Sequence, residues 1–102
     1  MRKKVLEIRD VEVTVHSDGR LDVRARATVP SLGWSAPELV PYSTAVAPRD
    51  GIYDLDFLAD APHGGASVLD VLAADVSLIL PSTTKGIRVH ASVNALVGIV
   101  QR

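Results

Sequence analysis

The sequence predicts an all-β fold: a small sandwich of about seven mostly antiparallel strands, built as a single domain over residues 1–102. Three observations predict it. Fifteen valines in so short a chain favour pleated backbone, where β-branched side chains fit well. Several runs alternate apolar and polar residues with a period of two, which sends one face inward and the other outward. Turn residues recur at short intervals, without the regular helical stretches of an α/β chain. A length of 102 residues and a hydrophobic fraction of 47% supply a modest core and rule out a charge-rich disordered chain.

The first hairpin carries the clearest pattern. Val11, Val13 and Val15 alternate with Glu12, Thr14 and His16; Leu21, Val23, Ala25, Ala27 and Val29 alternate with Asp22, Arg24, Arg26 and Thr28. A two-residue loop at Asp18-Gly19 would set Val15 opposite Asp22 and mix the faces. A three-residue loop, Ser17-Asp18-Gly19, sets Val15 opposite Leu21, Val13 opposite Val23 and Val11 opposite Ala25. It also pairs Glu12 with Arg24 and Asp10 with Arg26, opposite charges in both cases. Gly19 then takes the left-handed position of a type I turn with a G1 bulge. Upstream the phase slips, since Leu6 and Ile8 are even-numbered. That slip predicts a bulge near Arg9-Asp10, where the chain would pass from one sheet to the other.

Residues 30–37 read as a loop punctuated by Pro30, Gly33 and Pro37, with Trp34 pinning it to the core edge. Residues 39–47 follow as a strand, which Pro41 places at a sheet edge or makes start after the proline. Pro48-Arg49-Asp50-Gly51 is a turn. Tyr53, Leu55, Phe57 and Ala59 alternate with Asp54, Asp56 and Leu58 as another strand, ended by Pro62-His63-Gly64-Gly65. Residues 67–75 are open between helix and strand. Ser67 with Asp70 three residues on resembles a helix start, whereas flanking β patterns favour two strands, 67–72 and 75–80. In the last strand Ile87, Val89, Ala91 and Val93 alternate with Arg88, His90, Ser92 and Asn94. Beyond Asn94 the chain is apolar on both faces, which predicts a central strand or one covered by another chain. An immunoglobulin-like topology is the default for such a strand count, although the Cys-Trp-Cys core mark is missing.

Composition narrows the function. With no cysteine there is no disulfide framework, thiolate nucleophile or sulfur-ligated zinc. A net charge of −1 and four aromatic residues (Trp34, Tyr42, Tyr53 and Phe57) argue against a nucleic-acid partner. Arg2, Lys3 and Lys4 resemble the start of a leader, but Glu7, Arg9, Asp10 and Glu12 interrupt the apolar stretch that would have to follow. No run reaches membrane-spanning length, so no membrane partner is expected. The expected compartment is cytoplasmic, with an exported mature domain left open.

Each candidate site has a plainer alternative. Asp54 and Asp56 sit two apart on one strand face and offer oxygen ligands to a metal such as Ca²⁺, though without the glycine and glutamate of an EF-hand loop. Their plainer role is a solvated face that discourages stray pairing. His63 lies in a His-Gly-Gly run like the oxyanion loop of some hydrolases, but the chain has no Gly-x-Ser-x-Gly elbow. His16 and His90 fall on polar faces without metal-ligand spacing. The segment 81–86 lacks the glycine spacing of a phosphate loop. Arg24 and Arg26 are claimed by acidic partners across the hairpin, and the basic residues at the start read as solvated. Trp34, between prolines, suits either a partner anchor or a loop pin.

No cofactor is implied. The leading expectation is a non-enzymatic domain that binds a protein partner through loops 31–37 and 60–66, with Trp34 and His63 as contacts. The alternative is a self-associating structural protein, a homodimer through its C-terminal strand. A third reading is a metal-dependent enzyme on the Asp54/Asp56 face.

Overall fold

The computed structural model describes residues 1–43 and 47–102. Its strands are β1 (Arg2–Lys4), β2 (Glu7–Val15), β3 (Leu21–Val29), β4 (Ser35–Pro41), β5 (Ile52–Asp60), β6 (Asp70–Leu78), β7 (Gly86–His90) and β8 (Ala95–Ile99). Among the described residues there is no helix. The strands form a β-sandwich. The three-stranded sheet runs β2-β3-β6, and the five-stranded sheet runs β1-β5-β7-β8 with β4 also paired to β5.

The opening hairpin has the expected register. Val15 faces Leu21, Val13 faces Val23, Val11 faces Ala25, Glu12 faces Arg24 and Asp10 faces Arg26. His16 and Arg20 close the ladder around a loop of residues 17–19, with Gly19 at φ +89°. The alternation that chose this register also builds the core. Leu21, Val23, Ala25, Ala27 and Val29 of β3 lie fully buried, as do Leu55, Phe57 and Ala59 of β5 and Ile87 and Val89 of β7. Burying such side chains contributes roughly 1.5–3 kcal/mol each for the larger ones.

The bulge lies where expected, between Ile8 and Asp10. The passage between sheets does not. It falls earlier, at Val5 and Leu6, because the basic start is a strand rather than a solvated tail. β1 pairs with the upper part of β5, Arg2 facing Asp60 and Lys4 facing Leu58. Val5 is fully buried and donates its N–H to the Phe57 carbonyl at 3.1 Å, while Leu6 donates to Thr28 at 3.0 Å. The chain thus bonds to one sheet and then, one residue later, to the other.

The tight turn after β7 completes this crossing. Ser92 and Val93 donate N–H groups to the carbonyls of Val5 (2.9 Å) and Leu6 (3.1 Å). The Asn94 side chain then mimics a strand partner for Ile8. Its carbonyl accepts the Ile8 N–H at 2.7 Å and its amide donates to the Ile8 carbonyl at 3.0 Å. These bonds serve backbone groups beside the bulge, where the ladder is interrupted.

Other boundaries need correction. The strand expected at 39–47 is β4, which begins at Ser35 and ends at Pro41; residues 44–46 lie outside the described residues. Pro37 and Pro41 are tolerated there because β4 pairs on one side only, with β5. The loop expected at 31–37 is correspondingly shorter. The two strands expected at 67–72 and 75–80 are the single strand β6, paired with β3 from Asp70 to Leu78 without interruption. The last run is two strands rather than one, broken at Ser92-Val93. The inward positions change there from Ile87 and Val89 to Leu96 and Gly98, opposite each other across the ladder. β8 lies at the sheet edge, not its centre. Seven expected strands become eight among the described residues, and their ladders are antiparallel except between β5 and β7. That parallel pair, linked through β6 in the opposite sheet, departs from the antiparallel immunoglobulin-type pattern.

Replacing Asn94 with alanine strands the Ile8 N–H and carbonyl in a half-closed crossing, and is expected to cost roughly 1–3 kcal/mol. Urea unfolding of Asn94→Ala measures this, and a midpoint equal to wild type contradicts the assignment.

Candidate functional site

Strand β5 turns its even-numbered residues outward, so Asp54, Asp56 and Asp60 line the outer face of the five-stranded sheet. On one side β1 and β7 bring cations to that row. Arg2 reaches Asp60 at 3.3 Å, Lys4 reaches Asp56 at 3.6 Å and Arg88 reaches Asp54 at 3.2 Å. His90 places Nε2 2.7 Å from the same Asp54 carboxylate. From the other side, Tyr42 donates its hydroxyl to Asp56 at 3.0 Å and stacks its ring on His90, centroids 5.3 Å apart. Glu38 of β4 adds a second partner for Arg2, at 2.5 Å.

This arrangement gives Asp54 and Asp56 work within the sheet. Each carboxylate is already hydrogen-bonded or ion-paired to neighbouring strands, the cross-strand pattern that stabilises a sheet face. Such half-exposed pairs contribute little each, about 0–1 kcal/mol. Among the described residues, no group of three His, Asp or Glu side chains sits close enough together to hold a metal ion. The Asp54–His90 pair resembles two members of a nucleophile-activating triad. Among the described residues no serine or threonine hydroxyl bonds to His90. Burial and the Asp56 carboxylate together push the Tyr42 phenol above its ordinary value.

The remaining polar candidates are also engaged. Arg26 binds Asp10 as expected, at 2.8 Å from Nε. Arg24 leaves Glu12, its facing residue, and leans to Asp75 of β6 at 3.7 Å. His16 lies 2.5 Å from Asp22. The Ser77 hydroxyl, and after it His16, hold Asp22 below the usual carboxylate range. The segment 81–86 is a turn in which Thr84 bonds back to the Pro81 carbonyl, through its N–H at 3.0 Å and its hydroxyl at 2.6 Å.

Trp34 and His63 are brought to the same end of the sandwich. The Trp34 indole donates to the Ser31 hydroxyl at 3.0 Å and packs half-buried against the core, so it does pin its loop. The loop after β5 locks onto the loop before β4. Leu32 donates its N–H to Ala66 at 3.1 Å, and Gly65 approaches so closely that a Cβ there would lie 2.7 Å from the Leu32 carbonyl oxygen. Ala61 donates to the Met1 carbonyl at 2.9 Å, which ties the start of the chain to the same end. His63 is exposed at the loop tip. In the same two loops Leu32, Val68 and Leu69 stand in solvent, the last two 53% and 66% exposed.

Sequence reasoning missed two features. Apolar Val68 and Leu69 suit a strand or a helix in the sequence, and nothing there announces that β6 begins only at Asp70. At the opposite end a cleft of about 600 Å³ opens between Tyr53 and Leu55 on one wall and Leu78, Leu80 and Pro81 on the other. Its size falls within the range of small-molecule sites. Comparison with protein-family models, curated proteins and solved structures gave no match. No helix among the described residues is long and apolar enough to cross a membrane.

The Tyr42 environment is directly measurable. A phenol pKa raised by folding contributes stability that is complete below pH 10 and lost as pH rises through the folded value. In Tyr53→Phe, where Tyr42 is the sole tyrosine, ultraviolet titration is expected to give a midpoint above 10. Replacing Asp56 with asparagine should lower it. A Tyr42 midpoint at or below 10 contradicts the geometry.

Proposed function

We propose that this chain is a non-enzymatic binding domain that recognises a protein partner through the end of the sandwich formed by residues 30–34 and 61–69. One observation carries the reading. Two loops from different parts of the chain are fastened together by a backbone bond and a close glycine contact, and the fastened pair presents large apolar side chains to solvent. Ordering loops in advance reduces the entropy cost of binding. Apolar side chains gathered on such a rigid support, next to an exposed histidine and a half-buried tryptophan, have the makeup of a recognition surface.

The distribution of charge supports the same end. The carboxylates on the outer face of the five-stranded sheet are neutralised within the fold, as is Asp10 on the hairpin. Recognition through those charges would first have to break internal pairs. Among the described residues, Leu32, His63, Val68 and Leu69 take part in no ion pair that binding would break. Leu32, Val68 and Leu69 would form the apolar centre, with His63 and the exposed rim of Trp34 beside them.

Affinity capture followed by titration tests the reading. A partner retained by the wild-type chain is expected to bind at least about tenfold more weakly to Leu69→Asp, equivalent to roughly 1.4 kcal/mol. Ile79→Asp, a change at the most exposed isoleucine, outside this end, should leave binding intact. Equal binding by wild type and Leu69→Asp, or loss only in Ile79→Asp, contradicts it.

A further inference from the structure

Among the described residues five strands pair on one side only, and four of them carry obstacles to further pairing. β1 consists of Arg2, Lys3 and Lys4. β4 holds Pro37, Glu38 and Pro41; β2 holds Glu7, Arg9, Asp10 and Glu12; β6 holds Asp70 and Asp75. Charges and prolines on edge strands are the usual defence against an added strand. β8, with the sequence Ala-Leu-Val-Gly-Ile, carries neither. It is nonetheless an edge, paired on one side with β7.

Its backbone is oriented for a second partner. The bonds from Ala91 N–H to Asn94 and from Val100 N–H to Lys85 bracket the β7–β8 ladder. With Ile87 facing Gly98 and Val89 facing Leu96, the antiparallel alternation turns the N–H and C=O of Leu96 and Gly98 toward β7. The same alternation turns those of Ala95, Val97 and Ile99 outward. Among the described residues no backbone bond takes up these outward groups. Val97 and Ile99 also expose their side chains, Ile99 to 59%.

We propose that β8 pairs with β8 of a second copy of this chain, antiparallel about a twofold axis at Val97. The strand fits itself in this register. Val97 meets Val97 of the second copy and Ala95 meets Ile99, so the three outward-facing residues of each copy exchange backbone bonds. Leu96 then lies opposite Gly98 of the second copy, in a pair without backbone bonds, where side chains approach most closely. Position 98 is a glycine because β2 of the same chain packs onto it. A Cβ there would lie 2.7 Å from Val11 Cγ1 and 2.9 Å from Val13 Cγ2. Across the axis the exposed Val97 side chains meet each other and Ala95 meets Ile99, apolar against apolar at every outward position, as a self-paired surface requires. An unrelated extended peptide could use the same backbone groups, but a second copy brings a strand that is itself apolar, uncharged and free of proline, in a register that pairs every outward group.

The surface lies along the sandwich's side, apart from the loop end, so the two proposals can fail separately. Sedimentation of the wild-type chain at high micromolar concentration is expected to give twice the chain mass. Val97→Pro removes an outward N–H that β7 does not use, and should give the monomer mass with cooperative unfolding retained. Val97→Lys, which puts a charge on the edge without touching the backbone, should do the same. Hydrogen exchange at Ala95, Val97 and Ile99 should slow as wild-type concentration rises and stay unchanged in Val97→Lys. A wild-type monomer at that concentration overturns the proposal. So does a dimer that survives both substitutions, or one in which these three amides exchange freely.

Discussion

The crossing of the chain at Val5 and Leu6 sets the conditions for the rest of the fold. Two consecutive residues bond to opposite sheets, Val5 to Phe57 and Leu6 to Thr28. Their remaining backbone groups lie where no strand can reach, and buried polar groups left without partners are costly. The turn between β7 and β8 supplies the partners through Ser92 and Val93, and Asn94 supplies the equivalent for Ile8 beside the bulge. Four segments distant in sequence thus meet at one seam. The seam positions β1 on the upper part of β5, which delivers Arg2 and Lys4 to the acidic row, and it fixes where β8 starts.

From that seam outward, the two broad faces and the ends of the sandwich take different roles. The outer face of the five-stranded sheet is a closed polar network in which Asp54 and Asp56 are shared among Arg88, His90, Lys4 and Tyr42. Chemistry that looked available in the sequence, a pair of carboxylates on one strand, is engaged by neighbouring strands that the sequence does not show to be adjacent. The loop end has the opposite character. Its backbone is tied down, while its large side chains face solvent.

What was legible in the sequence follows from how local the signal was. The Ser17-Asp18-Gly19 hairpin was readable in full, because its register depends only on two neighbouring runs and the charges they carry. Even there, Arg24 chose Asp75 over Glu12, since β6 lies on its other side and its position is not written in the hairpin. The bulge was readable from the change of phase at Ile8, but the crossing was not, because Val5 is defined by partners far along the chain. The split of the last run at Ser92 was concealed by valines and alanines that suit either side of a turn. Trp34 and His63 do lie in loops, although β4 takes residues 35–37 from the first of them; the attachment of one loop to the other depends on Gly65 and Leu32, a pairing no spacing rule reveals.

Residue-level hydrogen exchange tests the seam most directly, since Leu6, Ser92 and Val93 lie outside the strands yet donate to buried or bridging carbonyls. If the crossing organises the fold, these three amides exchange only through global unfolding, at free energies matching core amides such as Val23 and Phe57. Exchange as fast as that of the exposed loop amides at His63 and Gly64 would show the seam to be a surface detail, and would contradict the account.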